Sequence, residues 1–191
     1  MATGLSDEQL VGRTLTGEHA AFDELVRRHQ SRVFNLAWQL CRDRDLADDW
    51  AQEAFVRAFE QLRRFDPTRP FTPWLLKVAT NICLNQMRRG AVTTVSLDAT
   101  EEDDDEPRQL AVGGPSPATM LEQRELAEWV QEAIARLPAK YRLVIVLRHM
   151  EELDYDEIAE ATGLPLGTVK TFLHRGREQL RKLLEPKLDA P

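Results

Sequence analysis

Lys77, Asn81, Asn85 and Arg88 stand three or four residues apart, so a helix places them in one stripe of amides and cations. Such a stripe can hydrogen-bond nucleobases and neutralise phosphates at the same time. Directly before it runs Phe65-Asp66-Pro67-Thr68-Arg69-Pro70-Phe71-Thr72-Pro73-Trp74, with three aromatics and three prolines in ten residues. Prolines stiffen that loop and the rings offer faces on which an unstacked base could lie. Taken singly, Phe65, Phe71 and Trp74 are ordinary core residues; their position beside a basic helix is what suggests nucleic acid.

A second constellation lies near the C-terminus. Asp154 followed by Glu157 is a capping box that opens a helix carrying Ile158 and Ala159. Thr162-Gly163 ends that helix, because glycine takes the left-handed conformation the stop requires. Leu164-Pro165-Leu166-Gly167 then leads into a second helix expected from Thr168, with Val169 facing back to the first. This is the helix-turn-helix pattern. Its second helix presents Thr168, Lys170, Thr171, His174, Arg175 and Arg177, types that reach base edges and phosphates from the major groove. Residues 164–187 hold six cations against two acids, which separates them from an ordinary solvated helix face.

The segment around Asp48, Asp49, Gln52, Glu53 and Glu60 has the opposite character. Acids near a helix start favour the macrodipole, and the ordinary reading of such a face is a solvated one. An acidic face beside a basic one cannot serve the same DNA, so it is also a candidate protein-docking surface.

The elements that must position these groups all read as helices. Phe22, Leu25, Val26, His29, Val33, Leu36, Ala37 and Leu40 keep helical spacing, as do Ala47, Ala51, Ala54, Ala58 and Leu62. The alanine stripe allows close helix packing. Thr72-Pro73 reads as an N-cap with proline at the first helical position, and a short helix is expected near Ser6–Thr16. Helices are further expected over 119–137, 139–150, 154–161 and 166–184; Leu143-Val144-Ile145-Val146-Leu147 could pass for a strand but has no partner strand.

Between about 91 and 118 periodicity vanishes. Seven acids and no base fall in 98–106, and Gly113-Gly114-Pro115-Ser116-Pro117 follows, which reads as a disordered acidic linker. The expected fold is therefore all-α, with two small helical domains (1–90 and 119–191) on a tether. The net charge of −7 over 191 residues comes from the run 98–106 alone; without its seven acids 25 cations balance 25 acids.

Other chemistries find little support. His19, His29, His149 and His174 lack metal-ligand spacing, no glycine-rich phosphate loop occurs, and no cofactor or catalytic role is expected. Cys41 and Cys83 make no disulfide framework and read as buried thiols of a reduced, cytoplasmic protein. No apolar run is long enough to span a membrane, and no export signal opens the chain.

Four stretches together resemble the extracytoplasmic-function group of bacterial sigma factors: AFDELVRRHQSRVFNLA (21–37), DLADDWAQEAFVRAF (45–59), FTPWLLKVATNICLNQMRR (71–89) and LPAKYRLVIVLRHMEELDYDEIAEATGLPLGTVKTFLHRGREQL (137–180). The resemblance implies a protein that binds core RNA polymerase and directs it to promoters, with an anti-sigma factor as regulator. It implies polymerase docking through Asp48, Asp49, Gln52, Glu53 and Phe55. It implies −10 recognition and base capture by Asp66, Thr68, Arg69, Phe71, Thr72 and Trp74, continued by Lys77, Asn81, Asn85, Arg88 and Arg89. It implies −35 recognition by Pro165, Gly167, Thr168, Lys170, Thr171, His174, Arg175 and Arg177. Asn85 stands where the family often has an acid, and Thr171-Phe172 replaces a more usual Ser-Arg, with Phe172 expected on the core or a thymine methyl. A helix-turn-helix regulator of the response-regulator output type is the alternative; it would need a βα receiver domain in front, and residues 1–90 show no such alternation.

Overall fold

A computed structural model of the chain describes residues 4–93 and 117–188, with side chains over 4–89 and 126–185. Every regular element among the described residues is helical. Most of the expected linker, including the acidic run at 98–106, lies outside them.

Helix α1 (Asp7–Leu15) begins at a capping box in which the Gln9 amide donates to Ser6 Oγ (3.3 Å) and the Ser6 amide to Gln9 Oε1 (2.9 Å). Reciprocal capping of this kind satisfies two otherwise orphaned backbone donors. Helix α2 (His19–Cys41) buries Leu25, Val33, Leu36, Ala37 and Leu40, the stripe expected from spacing. It also buries His29, whose Nε2 sits 2.7 Å from Asp7 Oδ2, so that histidine is held structurally rather than poised as a ligand. Arg42 takes a left-handed conformation (φ 56°) to stop α2, and Asp43 then caps α3 (Arg44–Gln61) by accepting from the Leu46 amide at 2.9 Å. Ala47, Ala51, Ala54 and Ala58 are all buried, and α3 packs along α2 on these small side chains. A short 3-10 turn at Leu62–Arg64 leads into the proline-rich loop.

Helix α4 (Phe71–Thr93) starts one residue before the Thr72 cap expected from sequence. The reason is tertiary: the Phe71 amide donates to Glu8 Oε1 of α1 at 3.2 Å, so a side chain from another helix takes over the capping role. The C-terminal half comprises α5 (Pro117–Ala135), α6 (Ala139–His149), α7 (Tyr155–Thr162) and α8 (Leu166–Leu188). The apolar run 143–147 is helix, buried on α6. Gly176 lets α8 lie close on α6, for a Cβ there would stand 2.9 Å from Ile145 Cγ1.

The two halves touch in this structure. Helix α7 packs on α4 and α6 on α2. Arg142 of α6 donates to the carbonyls of Leu40 (3.2 Å) and Gln39 (3.5 Å) at the C-terminus of α2, where a cation offsets the negative end of the helix dipole. Arg42 returns a bond to the Gln131 carbonyl at 2.6 Å, and the Gln39 and Gln131 side chains pair. Arg32 of α2 meets Glu151, beyond the end of α6, at 2.9 Å in an ion-pair contact not aligned as a hydrogen bond.

Glu151 is 7% exposed, and burial pushes its carboxyl up to about 7 although Arg32 pulls the other way. A carboxyl raised on folding binds its proton more tightly in the folded chain. Its contribution to stability is complete below its ordinary value of 4.5 and is lost as pH rises through about 7. His149, lowered by burial and by Arg177, works in the opposite direction, so the comparison must be between variants. We expect Glu151→Gln to gain thermal stability relative to the parent as pH rises across that window. A stability difference that stays constant with pH would contradict the raised carboxyl.

Candidate functional site

The helix-turn-helix forms as its residues dictate. Asp154 Oδ1 accepts from the Glu157 amide at 2.8 Å, the Asp154 amide donates back to Glu157 Oε2 at 2.8 Å, and Gly163 ends α7 at φ 69°. Ile158, Val169 and Leu173 are buried where α7 and α8 meet. Helix α8 opens at Leu166, where the expected span 166–184 begins and two residues before Thr168, because the Pro165 carbonyl accepts from the amides of Thr168 (2.8 Å) and Val169 (3.1 Å). Gly167 consequently sits inside the first turn and accepts from Thr171 Oγ1 at 2.8 Å.

With Val169 and Leu173 pinned inward, Lys170, Thr171, His174, Arg175 and Arg177 are exposed, as are Pro165 and Gly167; Thr168 is half-buried. His174 pairs with Glu178 (3.3 Å), and Arg177 Nε donates to His149 Nε2 at 3.3 Å. Phe172 is half-buried on the core side, edge-on to Tyr141 at 5.5 Å with Lys140 near both rings.

On α4 the expected stripe also forms. Asn81, Asn85, Arg88 and Arg89 are exposed and Lys77 is half-buried, while Leu75, Leu76, Val78, Ala79, Ile82 and Cys83 face inward. In the preceding loop Asp66 accepts from both the amide (3.0 Å) and the hydroxyl (2.7 Å) of Thr68, and those bonds hold its carboxyl below the usual range. Asp66, Thr68 and Arg69 are exposed, and Thr72 and Trp74 are half-buried.

Phe71 requires a correction. It is 2% exposed and packs against Phe65 (5.6 Å), Trp74 (5.6 Å) and His29 (5.5 Å), so it is a core residue and offers no face to a base. Its spacing from Leu75 and Val78 puts it on the apolar side of α4, where burial of a ring outweighs any surface role. Cys41 is likewise corrected to half-buried, its thiol donating to the Asp43 carbonyl at 3.1 Å; Cys83 is buried, which pushes its thiol up to about 12.

On α3, Asp48, Asp49 and Gln52 are exposed, with Gln52 donating to Asp48 at 2.9 Å. Glu53 is half-buried and held by Gln86 of α4 at 2.6 Å. Phe55 is half-buried at the edge of a shallow groove with His19 and Phe22 of α2 and Val56 and Phe59 of α3. Val56 is 61% and Phe59 43% exposed, and Phe22 meets Phe59 edge-on at 4.9 Å. Sequence reading missed this groove. The available signal was that Val56 and Phe59 are large apolar residues lying off the alanine stripe.

Two family models match: the sigma-70 region 2 model over residues 25–92 and the sigma-70 region 4 model over 127–180. Among curated proteins, the ECF RNA polymerase sigma factor SigW of Bacillus subtilis is 37% identical over 171 residues, 88% of this chain and 91% of that protein. This chain belongs to the sigma-70 family, in its extracytoplasmic-function group. The RNA polymerase sigma-H factor of Pseudomonas aeruginosa is 33% identical over 98% of both chains. Among solved structures, CnrH in complex with the cytosolic domain of CnrY matches with a TM-score of 0.64 and 27% identity, over 96% of this chain and 99% of that one. RpoE of Bartonella quintana, solved with the anti-sigma factor NepR, has the same fold at a TM-score of 0.66 and 21% identity.

As a member of this group, the chain is an alternative sigma factor that directs promoter-specific transcription. The response-regulator alternative is not favoured, since region 2 occupies the place a receiver domain would need and its described elements are helices. The exposed side chains of α8 between Lys170 and Arg177 and the α4 stripe fall in regions 4 and 2 respectively. No helix among the described residues is long and apolar enough to cross a membrane.

Proposed function

We propose that this sigma factor docks on core RNA polymerase through α3, reads the −35 duplex with α8, and captures and melts the −10 element with residues 66–72 and α4. The observation that carries the −35 assignment is the two-sidedness of α8. Val169 and Leu173 are buried against the helix-turn-helix while Lys170, Thr171, His174 and Arg175 project from the opposite face. A capped turn and a buried inner face fix the direction of those side chains, which base reading in a groove demands.

The −10 assignment rests on Asp66, Thr68, Arg69, Thr72, Trp74, Lys77, Asn81, Asn85, Arg88 and Arg89; Phe71 supports them from the core. The docking assignment rests on the acidic stretch Asp48, Asp49, Gln52 and Glu53 with the apolar groove at Phe55, Val56 and Phe59. In this reading 1–90 and 119–191 are the functional domains, 91–118 joins them, the chain is not an enzyme, and it works in the cytoplasm. The polymerase supplies the chemistry, and an anti-sigma factor is the regulatory partner, as in the complex described for RpoE.

Run-off transcription with core polymerase over a randomised promoter library tests the whole reading and returns both promoter elements. On the preferred promoter, Lys170→Ala and Arg175→Ala should each weaken −35 binding. Loss of a base contact costs about 1–3 kcal/mol and relaxes one position, whereas loss of a phosphate contact weakens all sequences alike and flattens the salt dependence by roughly one unit of slope. If neither variant changes affinity or preference, α8 is not the reading helix.

A further inference from the structure

Two of the cations assigned to the −10 surface, Arg69 and Lys77, already share a partner within the chain. Glu160, on the exposed side of α7, meets Lys77 Nζ with Oε1 at 2.9 Å and Arg69 with Oε2 at 3.4 Å. Each carboxylate oxygen thus takes one cation, and the two cations come from the loop and from α4, the two elements that form the −10 surface. Those bonds hold the Glu160 carboxyl below its ordinary value, so it is charged whenever the pair is made. A nucleic-acid phosphate likewise presents two anionic oxygens to surrounding cations.

Around this contact the halves are joined by the packing of α7 on α4, by Arg32 on Glu151, and by Arg142 on the C-terminus of α2. The buried apolar residues of both halves form one continuous cluster. Helix α7 therefore lies beside the very residues assigned to single-stranded promoter DNA.

We propose that the free chain is self-inhibited, with Glu160 acting as an internal phosphate mimic that competes with the −10 strand for Arg69 and Lys77. The inference rests on the reading of those two cations as DNA contacts. It adds that the anion facing them before promoter binding comes from the chain's own helix-turn-helix. Separation of the two halves, as simultaneous engagement of two promoter elements requires, frees both cations together.

The test is a titration of the full chain, without polymerase, against a fluorescein-labelled single-stranded DNA of randomised sequence at low salt. Glu160→Gln should tighten binding about five-fold, the scale of two exposed ion pairs. Asp156→Asn, the same charge change on an exposed residue of the same helix, controls for overall charge and should give less than half that gain. The gain from Glu160→Gln should shrink in a Lys77→Ala background and vanish once Arg69→Ala is added. If Glu160→Gln behaves like Asp156→Asn, or if its full gain survives the loss of both cations, self-inhibition is overturned.

A parallel measurement keeps the two readings apart. Lys77→Ala is assayed in the holoenzyme on a pre-melted promoter, where the halves are already separated. Weakened binding there together with a silent Glu160→Gln overturns self-inhibition alone. No effect there removes Lys77 from the −10 contacts, and the mimicry falls with it.

Discussion

Phe71→Ala should destabilise the folded chain by about 3–5 kcal/mol, the cost of deleting a fully buried ring and leaving a cavity. The ring is 2% exposed and is packed by Trp74 of its own helix, by Phe65 and by His29 of α2, so its removal leaves a cavity among large side chains. Denaturant unfolding measures the loss directly, and a cost under about 1 kcal/mol would contradict core placement. Because residues 66–72, assigned to −10 capture, are flanked by Phe65 and Trp74, which both pack on Phe71, a destabilised core would also impair promoter melting. Phe71→Leu separates the two effects. It keeps most of the apolar volume but removes the aromatic face, so −10 preference should be unchanged at temperatures where the variant is folded. A changed preference would put the ring back at the DNA.

Phe59→Ala should weaken binding to core RNA polymerase about thirty-fold, equivalent to about 2 kcal/mol at an interface anchor. The ring is 43% exposed on the α2–α3 groove, stacks edge-on with Phe22, and stands beside an exposed Val56. Large apolar side chains left exposed together on a folded chain mark a contact surface, and here the acids Asp48 and Asp49 lie on the same helix. The fold should be nearly unaffected, since the ring is partly in water already. Asp49→Lys should act differently, slowing association and changing its salt dependence, because an exposed rim charge steers encounter more than it holds the complex. Glu53 is the poorer target, for its carboxylate is engaged by Gln86, and reversing it would disturb α3 against α4. Unchanged affinity of Phe59→Ala for core, measured with a melting temperature like the parent's, would move docking away from the groove.

Much of this protein is determined locally and was therefore readable in its residues. Helical spacing over 22–40 and 47–62, the capping box at Asp154 and Glu157, and the glycine stop at 163 depend on neighbours within one or two turns, and each appears as expected. The outward faces of α4 and α8 follow by the same logic, since residues two apart lie on opposite sides of a helix and burying Cys83 or Val169 turns Asn85 or Thr171 outward.

What only the tertiary structure decided involves residues far apart in the chain. The start of α4 moved to Phe71 because Glu8, sixty-three positions earlier, caps its amide. Phe71 went to the core because α4 begins at it, which sets the ring on the face of Leu75 and Val78, and because His29 and Phe65 then close over it. Glu53 lost its freedom to Gln86, the groove at Phe59 arose where α2 left space beside α3, and Glu160 found Lys77 eighty-three residues away. Periodicity reports the face a residue shares with its own helix. Which helix covers that face, and which charge waits there, is set by packing energies summed over the whole chain, and no local spacing carries them.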